Sequence, residues 1–105
     1  MNESIHGVKL LLSYEVLPES SQEYYEFVMG RYIPAMQAMG MQMSEAWHTA
    51  YGDAPNRLIG FVCENRQTMD ELLHSQTWLA LTEQLKRYVT NLSYKVIPYK
   101  EGFQI

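Results

Sequence analysis

The middle of the chain limits the fold more than any other stretch. Gly52-Asp53-Ala54-Pro55-Asn56 separates two β-patterned runs, Met41–Tyr51 and Arg57–Glu64, so the sequence demands a hairpin here. Two strands joined this tightly are antiparallel neighbours in one sheet. The flanking segments must therefore be arranged around a central antiparallel pair.

On the N-terminal side, Val8–Val16 alternates in polarity. Val8, Leu10, Leu12, Tyr14 and Val16 share one face, and Lys9, Leu11, Ser13 and Glu15 the other, which is the period of a strand. Leu17-Pro18-Glu19 ends it. Ser20 and Glu23 have the spacing of a capping box and predict a helix start. Tyr24, Phe27, Val28, Met36 and Met39 supply its apolar stripe, and Gly40 its terminator. Pro34 lies within this helix and predicts a kink or break around Arg31–Pro34.

On the C-terminal side, Thr68 and Glu71 repeat the capping-box spacing and predict helix running to about Asn91. About 24 unbroken residues at 1.5 Å each would reach about 36 Å, longer than a small sheet needs. A break is expected near Ser75-Gln76-Thr77, with Ser75 or Thr77 capping the second piece. Ser93–Tyr99 is the last strand, and Pro98 puts it at an edge or ends it there.

The resulting order is strand, helix, strand, strand, helix, strand. This is the α+β class, in the ferredoxin-like βαββαβ pattern with a four-stranded antiparallel sheet. Right-handed crossovers place both helical segments on one face of it. The other face is not patterned for water: Leu58, Ile59, Phe61, Val62 and Cys63 put apolar groups on both sides of the third strand, and Val96 and Ile97 do so in the fourth. Apolar sheet faces of several hundred Å² rarely stay exposed, so the sequence predicts a homodimer through the sheet faces.

With 105 residues, 47% of them hydrophobic and 19% charged, the chain is read as one folded domain, residues 1–105. The net charge of −4 and eight scattered basic residues exclude a phosphate-binding stripe, and so a nucleic-acid partner. Val8–Leu12 is too short an apolar run for an export signal or membrane span. The lone Cys63 makes no internal disulfide, and its apolar surroundings suit a buried, inert thiol. These readings point to a cytoplasmic protein with no membrane partner.

Three stretches carry a resemblance: "RYIPAMQAMG" with its internal proline and terminal glycine, "EAWHTAYGDAPNRLI", and "LLHSQTWLALTEQL" with a serine ahead of a tryptophan. Over roughly Val8 to Tyr99 the chain resembles the dimeric α/β-barrel superfamily, in which two ferredoxin-like sheets close into one barrel. Within it, the chain is most similar to the NIPSNAP-like proteins. His48 beside the Trp and a third strand poor in aromatics depart from many members. Relatives include cofactor-independent monooxygenases, haem-degrading enzymes, peroxidase-like enzymes and isomerases, so the resemblance implies a fold more than a reaction.

The resemblance also implies a pocket between the sheet and its own helices, concave and mostly apolar. By alternation, Met43, Glu45, Trp47, Thr49 and Tyr51 share one face of the second strand, and Gln42, Ser44, Ala46, His48 and Ala50 the other. If the first set meets the helices, Trp47 and Tyr51 fill the core. If the second set does, Ala46 and Ala50 leave room for a ligand beside His48. Histidine titrates in the range useful for acid–base work, making His48 the candidate catalytic residue. Tyr14, Arg31, Trp47, Tyr51 and Trp78 are the candidate ligand-binding residues, with Arg31 suited to an anionic group. His6, His48 and His74 lack metal-ligand spacing, and no cofactor motif is present, so neither a metal nor a cofactor is expected.

Two functions remain open from the sequence, beside a purely structural dimerisation module with a filled core. One is a NIPSNAP-like homodimer binding a small apolar or aromatic molecule. The other is a cofactor-independent monooxygenase or isomerase with His48 as base inside an enclosure of Trp47, Tyr51 and Tyr14.

Overall fold

A computed structural model describes residues 7–49 and 56–99. Its sheet has strand order β2-β3-β1-β4, where β1 is Gly7–Val16, β2 Gln42–Thr49, β3 Asn56–Cys63 and β4 Val89–Tyr99. Every pairing is antiparallel. A first helical arm, Ser21–Ala38, links β1 to β2, and a second, Arg66–Leu85, links β3 to β4. This is the expected ferredoxin-like α+β architecture. Among the described residues no helix is long and apolar enough to cross a membrane.

The alternation of β1 decides which face the helices cover. Val8, Leu10, Leu12, Tyr14 and Val16 are all buried beneath the arms, and Ile59, Phe61 and Cys63 continue that row on β3. The core is completed from the arms by Tyr32, Met36, Met69, Trp78 and Leu85. Cys63 is buried there, and desolvation pushes its thiol pKa up, away from reactive thiolate.

The first arm consists of α1 (Ser21–Phe27), a five-residue π-turn (Val28–Tyr32) and α2 (Ile33–Ala38). Pro34 explains the π-turn: with no N–H and a ring that crowds the preceding carbonyl, it disrupts ordinary helical bonding one turn back. The ladder widens so that the Ile33 N–H reaches the Val28 carbonyl. Gly40, at φ 94°, ends the arm as a left-handed C-cap, with Met41 N–H bonding the Met36 carbonyl.

The predicted start of this arm is corrected. Ser20 closes a 3-10 turn, Pro18–Ser20, and its hydroxyl caps nothing. The proline-started turn runs directly into α1, with Ser20 N–H bonded to the Leu17 carbonyl at 2.9 Å and Ser21 N–H to the Pro18 carbonyl, so turn carbonyls stand where a capping side chain would.

The second arm breaks at the predicted place, into α3 (Arg66–Leu73) and α4 (Gln76–Leu85). Ser75 caps α4, accepting from Trp78 N–H at 3.0 Å and donating to the Leu72 carbonyl at 2.7 Å. The cap of α3 lies three residues before the one expected. Asn65 accepts from Thr68 N–H at 2.8 Å, so Thr68 is inside the helix. The end of this arm also differs: helix stops at Leu85, and β4 begins at Val89 rather than Ser93. Val89 and Thr90 pair with Val16 and Glu15 across a bulge, where Asn91 takes a left-handed φ of 57°. Asparagine tolerates that conformation, which lets the strand start early. β4 is an edge strand, as Pro98 required.

Candidate functional site

The face of β2 turns on one irregularity. Met43 pairs with Phe61, but Glu45 pairs with Gly60, so a bulge at Ser44 breaks the alternation. Met43, Ala46 and His48 consequently look toward the helices, while Glu45 and Trp47 look away. The expected grouping of Met43 with Glu45 and Trp47 on one face is thereby corrected. Gly60 makes the bulge possible. A Cβ there would meet Ser44 Oγ at 2.8 Å and Glu45 Cγ at 3.1 Å.

Between this row and the first arm lies a cavity of about 280 Å³. Val28, Met29 and Ile33 wall it from the arm, and Met43, Ala46 and Ile59 from the sheet. Its polar groups are Tyr24, Tyr25, His48 and Arg57. The π-turn carries Val28 and Met29, so the same proline-driven widening that breaks the arm also shapes the cavity wall. A second hollow, of about 330 Å³, lies at the end of the sheet, bordered by Ser13, Tyr14, Glu15, Trp47, Arg57 and Asn91.

Arg57 and Trp47 border both hollows. The Arg57 guanidinium carbon lies 5.4 Å from the centre of the Tyr24 ring, within cation–π range. The Tyr24 and Tyr14 hydroxyls are 2.6 Å apart, with their rings edge to face. Burial is the main cause raising both phenol pKa values, and the nearby Arg57 charge partly opposes it. Both tyrosines are therefore neutral hydrogen-bonding groups at ordinary pH.

The structure brings together only part of the set expected from the sequence. His48 is exposed on β2 and borders the cavity. Trp47 is 61% exposed on the opposite row, where its Nε1 donates to Glu45 Oε2 at 3.3 Å. Tyr14 reaches the cavity through Tyr24. Arg31 is exposed on the π-turn and borders neither hollow. Trp78 packs in the core between Tyr32 and Tyr94, at ring distances of 6.4 and 5.5 Å. Tyr51 lies outside the described residues. Sequence reasoning missed Arg57 as a cavity residue. Its place two residues before Ile59 on an apolar strand row was the available signal.

The open face of the sheet carries Leu11, Leu58, Val62 and Ile97, all half-buried, beside the exposed Trp47. Among the described residues one ion pair crosses it, from Lys9 on β1 to Glu45 on β2, and it lowers the Glu45 carboxyl pKa through its hydrogen bond and charge. The Lys9 ammonium also sits 5.0 Å from the centre of the Tyr99 ring.

No protein-family model matches the chain, and no curated protein matches it. Solved structures do share its fold. A putative antibiotic biosynthesis monooxygenase from Deinococcus radiodurans has a TM-score of 0.71 at 15% identity, over 93% of this chain and 97% of that one. A NIPSNAP family protein from Agrobacterium tumefaciens has a TM-score of 0.68 at 14% identity, over 96% of this chain and 92% of that one. A conserved protein from Methanosarcina mazei Go1 has a TM-score of 0.66 at 10% identity, over 93% and 95% of the two chains. The likeness is one of fold, shared with structures of NIPSNAP family proteins and of putative antibiotic biosynthesis monooxygenases.

Proposed function

We propose that this chain is a NIPSNAP-like, homodimeric small-molecule-binding protein of the cytoplasm. Its ligand site is the cavity between the first helical arm and the sheet. The observation that carries the reading is the cavity itself, about 280 Å³, apolar along the arm and polar where Tyr24, His48 and Arg57 meet. That combination, an apolar wall with a few convergent polar groups, is the usual make-up of a ligand pocket. The dimer rests on the open sheet face, whose aliphatic row and exposed Trp47 are best covered by a second copy.

Native mass spectrometry of the protein as purified tests both halves. The expected species has twice the 12.3 kDa chain mass plus a retained small molecule. A species at the bare chain mass overturns the dimer. An Ala46→Trp variant that still retains the molecule overturns the site, because the larger ring would occupy the cavity.

A second reading follows from the position of His48 on the cavity side of β2. As general base, it would make the protein a cofactor-independent monooxygenase or isomerase acting on a small aromatic or apolar substrate. Full turnover by a His48→Ala variant would remove that base from the reaction.

A further inference from the structure

Arg57 is the one cation in a row that otherwise runs Ile59, Phe61, Cys63 into the core. Arg57 is half-buried, and a guanidinium partly covered by a helical layer is costly to the extent that no anion or acceptor compensates it. Among the described residues three ion pairs form, and Arg57 takes part in none. Glu15, on the far side in the second hollow, is instead reached by Asn91 Nδ2 at 3.4 Å. Arg57 Nε is buried with no acceptor. What holds the group is the face of Tyr24, which supplies no lone pair to its N–H fork.

The tyrosine pair adds a second unused donor. Two hydroxyls at 2.6 Å place one hydrogen between them and leave the other to find an acceptor elsewhere. Either hydroxyl can be the donor, Tyr14 bordering the second hollow and Tyr24 the cavity; ordered from Tyr14 to Tyr24, the pair leaves a Tyr24 hydrogen for an acceptor in the cavity. No Asp or Glu borders the cavity among the described residues. The polar end therefore has an excess of donors and positive charge, with Val28, Met29, Ile33 and Met43 forming the apolar end.

We propose that this cavity takes a small carboxylic acid with an aromatic or branched apolar body. The carboxylate pairs with Arg57 and accepts from the Tyr24 hydroxyl. The body lies between the π-turn and β2. A planar carboxylate matches the guanidinium fork, and an anion there supplies the ion pair that Arg57 lacks among the described residues. A volume of about 280 Å³ is at the small end for ligand pockets, which favours a single ring with a short acid tail. The inference rests on the ligand-site reading above and names its ligand class.

Calorimetric titration of the full chain with phenylacetate and with its neutral amide, phenylacetamide, tests it. The acid is expected to bind at least roughly tenfold more tightly than the amide, since a charge-assisted pair replaces a neutral one. Arg57→Met should abolish that preference, and Tyr24→Phe should reduce it. Equal affinity for acid and amide in the unmodified protein overturns the carboxylate assignment while leaving the small-molecule site intact. Binding of neither overturns both. The acid–amide comparison needs no variant, so it stands even where Arg57→Met fails to fold.

Discussion

The two helical arms are both broken, and they are broken differently. The second arm interrupts itself at Ser75, where a hydroxyl caps the new helix and Asn65 caps the one before it. Its interior is filled by Trp78 at 2% exposure, wedged between Tyr32 and Tyr94. The first arm interrupts itself with a π-turn ahead of Pro34, and no side chain caps either of its helical pieces. Met29 and Tyr25 stay exposed there, and a cavity remains against β2 and β3. A break made by a capping residue keeps backbone and packing satisfied. A break forced by proline re-routes the ladder and leaves space behind it. Both arms build core, and the second kind of break also leaves a site.

The comparison breaks most readily at Trp78. Trp78→Ala should cost about 3–5 kcal/mol in urea unfolding, because a filled layer has nothing to collapse into. A loss below about 1 kcal/mol would mean the second arm is no better packed than the first. A matched pair of aliphatic truncations sharpens the contrast. Leu85→Ala, at a fully buried site, should cost about 4 kcal/mol, and Ile33→Ala, on the cavity wall, about 2 kcal/mol. Equal losses would remove the distinction between the arms. Ser75→Ala should cost about 1 kcal/mol by loss of the α4 cap, read as a lower urea midpoint with an unchanged slope. At the bottom of the scale, Arg31→Ala should shift stability by less than about 0.5 kcal/mol and leave ligand affinity unaltered, since Arg31 borders neither hollow.

Much of this contrast was legible in the sequence. The strict alternation of Val8–Val16 specified the buried row of β1, and Pro34 and Ser75 marked both breaks correctly. The caps were less legible. An S/T-x-x-E spacing occurs at Ser20 and at Thr68, yet neither residue caps a helix, because Pro18 starts its own turn and Asn65 is better placed in extended backbone. The face of β2 was hidden by the bulge at Ser44, which depends on Gly60 across the sheet, a partnership strand periodicity cannot express. Arg57 escaped notice for a related reason. Its importance comes from Tyr24 above it and from a buried Nε with no acceptor among the described residues, both tertiary facts.

The central claim is that ligand enters beneath the first arm. Methyl NMR during a titration with indole, a neutral aromatic probe, tests it directly. The account predicts that shifts concentrate on Met29, Ile33, Met43 and Ile59 while Leu72, Leu81 and Leu85 stay still. Shifts confined to Leu11, Leu58 and Val62 would contradict it, placing the ligand on the open face of the sheet instead.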